Sequence, residues 1–340
     1  MEGVEEDLLG ICIPTYNRSG YLSECLKSVI DEFYPYGFPI YISDNCSADD
    51  TMSVVFNLNK RYKSIKYIRN DNNIGAYRNI LNVVQMAETR YVWFMGDDDT
   101  IEKGSVERLV NILKNNIDFL VLNSVPYDKE LAIQKYPKAI DCLADKKYIS
   151  KDIQNLLINL KKWSYYGFMS AMIIKRNLIE QLIPKYKDPN FSLYDTSWLP
   201  LALFYEAIHN RTGLFICDPM IINRDNPRSS GKGYWDYFFL NRIRVLKYLE
   251  GAGYQKKILQ KVVRSSILDL VLVGIEAKAE SKENLFNAYV KGSDLIQFSD
   301  KIIIKMLDLI PTPLVKLMKN IIFKVKKSRV HSLPKRLRMK

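Results

Sequence analysis

Histidine is scarce in this sequence: 340 residues contain two, His209 and His331. A metal site built from several imidazoles is therefore excluded, and a Ser-His-Asp arrangement would depend on a single candidate. We interpret His209 as a residue at the surface end of a helix. The chemistry must come from other residue types.

Cysteine is sparse and shows no pattern. No C-x-x-C pair occurs among the five cysteines, which are Cys12, Cys25, Cys46, Cys142 and Cys217. An odd, scattered count predicts reduced thiols in a cytosolic compartment. The sequence also lacks a run of about 18 uncharged apolar residues, so we expect no membrane-spanning helix. Its acidic start, MEGVEEDLLG, has no signal-peptide pattern.

Excess basic charge is nearly absent from the main body of the chain. The net charge is +12, but residues 301–340 contain twelve Lys and Arg and one acid, Asp308. They contribute +11, which leaves +1 for residues 1–300. A broad nucleic-acid-binding surface on the body is therefore disfavoured, and we expect no nucleic-acid partner.

Short apolar runs alternate with helical patterns over the first hundred residues. Four runs are typical of buried strands: LLGICIP (8–14), PIYISDN (39–45), IKYIRN (65–70) and RYVWFMG (90–96). Helical periodicity fills the intervals between them. This order predicts a three-layer α/β fold with a mostly parallel sheet. Beyond it we expect strands over 118–125, 168–176 and 214–224, a buried helix over 198–208, and helices from Tyr237 on.

The fourth strand ends on three consecutive aspartates, Asp97, Asp98 and Asp99. In an extended segment residues i and i+2 point to the same side, so Asp97 and Asp99 are predicted to face one ligand while Asp98 turns away. Two carboxylates on one side repel unless a cation lies beside them, and Mg²⁺ readily bridges carboxylate and phosphate. The alternative is a solvated acidic turn that precedes the helix at Ser105.

The other strand ends are polar as well, and ligands of open parallel sheets bind beyond these ends. Asp44 is placed to accept a hydrogen bond from a base, or else forms an Asx-type turn. Tyr16, which follows Pro14, is placed to stack on a base, or else is a rim tyrosine. Arg78 offers a fork for phosphate, or else is an exposed helix arginine.

Four segments, in this order and spacing, resemble the nucleotide-binding half of family-2 glycosyltransferases with the GT-A fold: ICIPTYNRSGYLSECLKSVI, ISDNCSADDT, NDNNIGAYRNI and WFMGDDDTIEKGSVERL. The resemblance covers residues 8–125. More weakly, WSYYGFMSAMIIKR and the region after it resemble abequosyltransferase-like enzymes of O-antigen and capsule synthesis. The implied fold is a GT-A three-layer α/β/α sandwich with a mostly parallel sheet, followed by a helical C-terminal extension.

The resemblance implies a base-binding role for the first three strand ends. Tyr16 would stack on the base of a nucleotide-sugar donor, and Asp44 would bind that base. Arg78 would lie near the base or the diphosphate. Pro14 belongs to the same motif and is counted among the donor-binding residues.

At the fourth strand end the resemblance implies contacts with the ribose and the diphosphate. Asp97 would contact the ribose, and Asp98 is counted as donor-binding. Asp99 would coordinate Mg²⁺ or Mn²⁺ on the diphosphate, where the metal neutralises the leaving group.

An inverting transferase also needs a carboxylate that takes the proton of the acceptor hydroxyl. We assign this role to Asp195, which stands among aromatic residues that suit sugar faces. The alternative is a capping box in which Ser192 and Asp195 start a helix. Asp188 and Glu206 are the competing candidates.

A glycine-containing loop over residues 226–235 follows Arg224 and Asp225. We expect this loop to close over the donor and exclude water, with Arg228 and Lys232 near the diphosphate. The alternative is an ordinary surface loop.

The basic tail, residues 301–340, contains an amphipathic pattern. Apolar side chains recur at helical spacing, at Leu314, Leu317, Met318, Ile321, Ile322 and Val325. A basic amphipathic helix favours binding to a membrane surface, and the alternative is a helix that docks on the domain. We therefore expect a cytoplasmic protein, peripheral at the inner face of the cytoplasmic membrane.

Together these patterns predict a glycosyltransferase domain over residues 1–235, with a nucleotide-binding half (1–125) and an acceptor half (126–235), and a helical region over 236–340. The predicted activity is metal-dependent, inverting transfer of a sugar from a UDP-, dTDP-, CDP- or GDP-linked donor to a surface glycan, free or lipid-linked. Two alternatives stay open. One is a sugar-phosphate nucleotidyltransferase, although PTYNRSG is a poor phosphate loop; the other is a non-catalytic glycan-binding protein.

Overall fold

The structure, a computed structural model, divides into two compact units. The first comprises Met1–Ile153 and Gly167–Asp225, and the second Gln154–Tyr166 and Asn226–Lys340. The residues described are 6–150, 152–160, 168–193, 198–224, 241–265, 271, 274–275, 277–279 and 290–318. The predicted boundary at residue 235 stays a prediction.

Nine strands form one sheet in the described part of the first unit. They are β1 (Leu9–Thr15), β2 (Ile40–Asp44), β3 (Ile65–Arg69), β4 (Tyr91–Phe94), β5 (Thr100–Ile101), β6 (Phe119–Tyr127), β7 (Lys146–Tyr148), β8 (Met172–Lys175) and β9 (Gly213–Arg224). Their order is β3-β2-β1-β4-β8-β6-β9-β5, and β7 pairs with β9. The four strands predicted within the first hundred residues are confirmed as β1 to β4.

The first four strands, β1 to β4, run parallel to one another, whereas the rest of the sheet is mixed. β1 pairs with β2 and β4 in parallel, and β2 pairs with β3 in parallel. β8 runs antiparallel between β4 and β6, and β9 runs parallel to β6. Insertion of β8 brings the residues just before it alongside the carboxyl end of β4.

Helices cover both faces of this sheet. They are α1 (Ser19–Phe33), α2 (Thr51–Arg61), α3 (Ala76–Met86), α4 (Ser105–Leu113), α6 (Arg176–Glu180), α7 (Ile183–Lys187) and α8 (Leu199–Ile208). Helix α5 (Ile153–Asn159) lies almost wholly in the second unit. α1 contacts α2 and α4, whereas α3 contacts α7 and α8. The expected α/β/α sandwich and the buried helix over 198–208 are confirmed.

Helix α1 shows how the periodicity builds the core. Its buried side chains recur every three or four residues, from Leu22 to Phe33, which places them on one helix face. They pack with β1 and β4 in a single apolar cluster that includes Trp93. Burial of this stripe fixes α1, and with it Arg18 at the helix start, beside the end of β1.

The expectation of five reduced cysteines is wrong for two of them. Cys142 and Cys217 form a disulfide across 75 residues, with their Cα atoms 5.9 Å apart. The bond ties the segment after β6 to β9. The partners were not foreseeable because disulfide connectivity cannot be deduced from spacing. Cys12, Cys25 and Cys46 are free thiols.

The described part of the second unit is helical, as predicted. Its elements include α9 (Asn241–Gly251), α10 (Lys256–Arg264), α11 (Phe298–Lys305) and a 3-10 helix over Met306–Leu309. Residues 312–318 are also helical. Within the described residues, no helix combines the length and apolarity needed to span a bilayer.

Candidate active site

The carboxyl ends of β1 and β4 meet because the two strands are parallel neighbours. After β4, residues 96–99 form a turn in which the Asp99 N–H donates to the carbonyl of Gly96 (3.3 Å). The hydroxyl of Thr15, the last residue of β1, donates to Asp97 Oδ2 (2.8 Å). Three carboxylates are thereby gathered at one edge of the sheet.

Arg18 binds two of these carboxylates at once. Its Nη1 lies 2.7 Å from Asp97 Oδ1 and 3.1 Å from Asp98 Oδ2. The predicted orientation, with Asp98 turned away from Asp97, is therefore wrong. Strand alternation does not apply because the three aspartates lie in a turn rather than in an extended segment.

Asp99 is buried and held from two other parts of the chain. Its Oδ2 accepts a hydrogen bond from Ser170 Oγ (2.6 Å), and its Oδ1 accepts one from the Arg224 N–H (3.1 Å). Ser170 Oγ in turn accepts a bond from the Gly96 N–H (2.9 Å). Ser170, just before β8, is therefore a site residue that the sequence reasoning missed.

The Arg224 side chain also holds the turn of residues 96–99 in place. Its guanidinium is buried, and Nε donates to the carbonyl of Asp98 (3.0 Å). The guanidinium also pairs with Glu24 on α1, donates to the carbonyl of Lys129, and lies 4.8 Å from the centre of the Tyr21 ring. Arg224 was noted only as a residue that precedes the predicted 226–235 loop, and its contacts make it a structural support of the aspartate turn.

Burial makes the ionised forms of these carboxylates costly. It raises the pKa of Asp97 to about 6, although the Arg18 charge acts to lower it. Burial, followed by the neighbouring charge of Asp98, raises the pKa of Asp99 to about 8. A divalent cation beside them would favour the ionised forms, because an opposite charge offsets desolvation.

The residues present fit a hard divalent cation. A Cβ added at Gly96 would lie 3.1 Å from Asp99 Oδ2 and 3.2 Å from Asp98 Oδ1, so two carboxylate oxygens flank a position that glycine keeps open. No group of three or more potential ligands occurs in the part of the chain that the structure describes. Mg²⁺ shared with a diphosphate needs one or two protein carboxylates, so this donor set suits such an ion.

Asp44 lies at the end of β2, where it was predicted, but beneath the surface. Its side chain is fully buried, with Oδ1 accepting from the Ser47 N–H (2.9 Å) and Oδ2 accepting from the Tyr67 hydroxyl (2.7 Å). Arg69 Nε is 3.7 Å from Oδ2. Each oxygen retains further lone-pair capacity, so a base would share Asp44 with Tyr67. Tyr67 and Arg69 were not foreseen as its partners.

Tyr16 and Arg78 flank this end of the sheet. Tyr16 follows β1, where Pro14 pairs with Ser43 of β2, and its side chain is 43% exposed. Arg78, on α3, is exposed, and its Nε donates to the Tyr77 hydroxyl (3.0 Å). Both side chains are thus accessible to a ligand beyond the strand ends.

The buried amide of Asn79 anchors α3 to the sheet. Its Nδ2 donates to the carbonyls of Ser43 (2.9 Å) and Thr15 (3.3 Å). Its Oδ1 accepts bonds from Ser43 Oγ (2.7 Å) and Asn70 Nδ2 (3.0 Å). This satisfied network fixes the start of α3, and therefore Arg78, against the ends of β1 and β2.

The predicted base, Asp195, lies outside the described residues. So do Asp225 and the 226–235 loop with its two basic residues. The competing carboxylates are described: Asp188 Oδ1 accepts from the Asn190 N–H (2.8 Å), which forms a local turn. Glu206 binds Lys185 Nζ (2.7 Å) and the Tyr186 hydroxyl (2.8 Å), which gives it a structural role on α8.

Comparison with known proteins decides the family. Residues 10–183, half of the chain, match the family described as Glycosyl transferase family 2. The chain belongs to this family. This family-2 glycosyltransferase is 28% identical over 272 residues to abequosyltransferase RfbV of Salmonella typhimurium, a match that covers 77% of this chain and 80% of the relative. The predicted resemblance to abequosyltransferases is confirmed.

A shorter match is to another bacterial transferase. The chain is 36% identical over 103 residues to the GalNAc(5)-diNAcBac-PP-undecaprenol beta-1,3-glucosyltransferase of Campylobacter jejuni, covering 30% of this chain and 33% of that enzyme. This similarity covers a limited segment, whereas the similarity to RfbV extends over most of the chain.

Solved structures confirm the GT-A fold. TarS 1–349 of S. aureus in complex with UDP-GlcNAc superposes with a TM-score of 0.62 at 15% identity, over 84% of this chain and 81% of that one. The complex of TarS 1–349 with UDP gives 0.63 at 14% identity, over 92% and 88%. At these identities the likeness shows the fold alone.

Proposed function

We propose that this enzyme transfers a sugar, with inversion and with Mg²⁺ or Mn²⁺, from a nucleotide-sugar donor to a surface-glycan acceptor, free or lipid-linked. The observation that carries the proposal is the buried Asp99 carboxylate, clustered with Asp97 and Asp98 at the ends of β1 and β4. Arg18 pairs with Asp97 and Asp98, whereas Asp99 has no ion pair among the described residues, so its carboxylate suits a metal-bound diphosphate. The nucleotidyltransferase and non-catalytic alternatives do not fit membership in a family of glycosyltransferases.

In this proposal the donor extends between two ends of the site. The exposure of Tyr16 supports stacking on the base, and we assign Asp44, which is buried at the next strand end, as the hydrogen-bond acceptor of that base. Asp97 is assigned to the ribose. Asp99 is assigned to the metal, which would neutralise charge on the leaving diphosphate.

Supporting residues keep these groups in place before the donor binds. Arg18 offsets the charges of Asp97 and Asp98, which lowers their mutual repulsion. Ser170 and Arg224 hold the two oxygens of Asp99 in fixed directions. A preorganised carboxylate needs little reorganisation when the charge of the leaving group develops.

The transfer itself is a single displacement. The acceptor oxygen bonds to the anomeric carbon of the sugar while the bond from that carbon to the diphosphate oxygen breaks. Asp195 takes the proton of the acceptor hydroxyl, and the diphosphate leaves with the bonding electron pair. The local turn at Asp188 and the ion pair at Glu206 support the choice of Asp195 over these competitors.

A donor screen followed by one substitution tests the metal role. UDP-, dTDP-, CDP- and GDP-linked sugars are compared by thermal shift with Mn²⁺ present. Asp99→Asn should then abolish both the Mn²⁺-dependent part of the shift and transfer. Asp31→Asn is the control, because Asp31 is an exposed partner of Arg61 on the surface. Near-normal, Mn²⁺-stimulated transfer by Asp99→Asn would contradict the metal role.

A second substitution tests the assignment of the base. Asp195→Asn should lower kcat by about 100-fold or more while leaving the donor-induced thermal shift unchanged. Asp188→Asn should leave kcat within about twofold of the wild type, because its carboxylate serves a local turn. The opposite ranking of the two variants would transfer the role to Asp188.

A further inference from the structure

The helical elements between residues 298 and 318 carry apolar side chains on two different faces. One face packs inward: Ile304, Leu307 and Val315 are buried. Leu307 and Val315 form an apolar cluster with Ile275, against which Met318 is partly buried. The inner packing of these helices therefore does not include their exposed apolar side chains.

Five other large apolar side chains of these helices are exposed, and we refer to them together as the outer apolar face: Ile302, Met306, Leu309, Leu314 and Leu317. Their exposure runs from 45% for Ile302 to 82% for Leu309. In the described residues from 241 onward, every exposed large hydrophobic side chain belongs to this face.

These exposed side chains recur at helical spacing rather than at isolated positions. Positions 302, 306 and 309 follow one another at intervals of four and three residues, which places them on one side of α11 and the 3-10 helix. Ile304 and Leu307 fall between them on the inward side. A helical segment that is apolar on both sides requires a second apolar environment.

Positive charge accompanies the outer apolar face. Lys305 and Lys316 are exposed, and Lys301 is partly exposed beside Ile302. Residues 301–340 as a whole carry a net charge of +11. The occupant of this face must therefore be apolar and negatively charged at the same time.

We propose that the outer apolar face docks on the surface of a membrane that contains anionic lipid. The bilayer interface offers acyl chains to Leu309 and its neighbours, and anionic headgroups to the lysines. Because no helix in the described residues can cross a bilayer, attachment by this face lies in the plane of the interface. We assign the inner leaflet of the cytoplasmic membrane as this surface. This docking proposal does not depend on the proposed sugar transfer.

Three residues of the amphipathic stripe predicted from the sequence lie within the described part of this region. Leu314 and Leu317 are exposed, whereas Met318, predicted on the same stripe, packs partly against the inner cluster. Ile321, Ile322 and Val325 lie outside the described residues. The outer apolar face thus begins earlier than the predicted stripe, at Ile302, and shares Leu314 and Leu317 with it.

Vesicle co-sedimentation of the full chain tests the proposal. We expect the chain to bind vesicles that contain about 30 mol% of the anionic lipid phosphatidylglycerol. Its binding to vesicles of pure phosphatidylcholine should be much weaker. The variant Met306→Ser/Leu309→Ser/Leu317→Ser should lower the partition coefficient at least about tenfold, since it removes three exposed apolar side chains. A matched control is Phe56→Ser/Leu143→Ser, which removes exposed apolar side chains from the first unit.

The readouts separate the membrane from other occupants. Equal partitioning of the triple-serine variant and the control would overturn the proposal. A wild-type chain that is dimeric by size-exclusion chromatography without vesicles, and becomes monomeric in the triple-serine variant, would also overturn it in favour of an interface between copies. We expect the variant to keep the wild-type unfolding temperature, because the replaced side chains are exposed. A loss of vesicle binding can then be attributed to the outer apolar face itself.

Discussion

Gly96 is the position at which a single methyl group should separate metal binding from folding. In Gly96→Ala the new Cβ would lie 3.1 Å from Asp99 Oδ2, 3.2 Å from Asp98 Oδ1 and 3.4 Å from Ser170 Oγ. Ordinary carbon–oxygen contacts are longer than the first two distances, so both carboxylate oxygens must retreat by roughly a few tenths of an ångström.

The size of the effect follows from the tolerance of metal coordination. Ligand distances in metal sites are held within about 0.2 Å, so the expected displacement is comparable with the tolerance of the site. Changes that reorient metal ligands weaken metal affinity by roughly 10–100-fold, and we expect an increase of that size in the half-saturating Mn²⁺ concentration. The free energy of unfolding should change by less than about 1 kcal/mol, because the entropic gain of Gly→Ala offsets the local crowding.

The assay is a Mn²⁺ titration of transfer, with the donor identified by thermal shift. Gly20→Ala is the matched control, because a Cβ at that position in α1 meets no atom within 4 Å. The control should keep the wild-type Mn²⁺ dependence and gain about 0.5–1 kcal/mol in stability. If Gly96→Ala and Gly20→Ala show the same half-saturating Mn²⁺ concentration, the placement of the cation beside Asp98 and Asp99 is refuted.

Two further predictions concern stability. Gly213→Ala should destabilise the fold by about 1–3 kcal/mol in denaturant titrations, because its Cβ would come within 2.3 Å of the Phe119 ring on the paired strand. For Asp118, burial acts to raise the pKa, but hydrogen bonds from Lys175 Nζ (2.8 Å) and the Thr212 N–H (3.0 Å) lower it on balance. A depressed pKa contributes stability that is present above the unfolded-state value of about 3.9 and is lost as the pH falls through the folded-state value. Asp118→Asn should therefore cost about 1 kcal/mol at pH 7, and the difference should shrink as the pH falls below the unfolded-state value.

Matched controls exist for both. Gly251→Ala adds a Cβ that meets no atom within 4 Å; a loss equal to that of Gly213→Ala would remove the steric explanation. Asp31→Asn removes an exposed partner of Arg61 and should change stability by less than about 0.5 kcal/mol at any pH. A pH-independent difference between Asp118→Asn and the wild type would contradict the linkage.

Local patterns predicted β1 to β4 well because each strand and helix shows its own periodicity in the sequence. Two of the parallel pairs, β1-β2 and β2-β3, also join consecutive strands, whereas β1 and β4 are about 80 residues apart. The same reasoning placed Asp44 and Asp97 at strand ends. It did not reveal that Asp44 is buried and accepts a hydrogen bond from the Tyr67 hydroxyl, because that contact depends on the packing of the edge strand β3.

The rest of the site depends on contacts that leave no local signal. Ser170 reaches Asp99 because β8 inserts antiparallel beside β4, and Arg224 reaches it from the end of a strand more than a hundred residues later. The orientation of Asp98 was mispredicted because a single turn hydrogen bond overrides strand alternation. Pairing of Cys142 with Cys217 likewise depends on the packing of distant segments.

The distance along the chain between Asp99 and its supports has a consequence during synthesis. Ser170 follows Asp99 by 71 residues and Arg224 follows it by 125. At about 5–20 residues per second, a ribosome needs roughly 6–25 s to add the residues that separate Asp99 from Arg224. For the first 71 residues of that interval a nascent chain has strands β1 to β4 but neither partner for the Asp99 carboxylate, and until Arg224 is made it has Ser170 alone. A chain that ends before Arg224 would therefore lack one of the two hydrogen bonds that hold the Asp99 carboxylate.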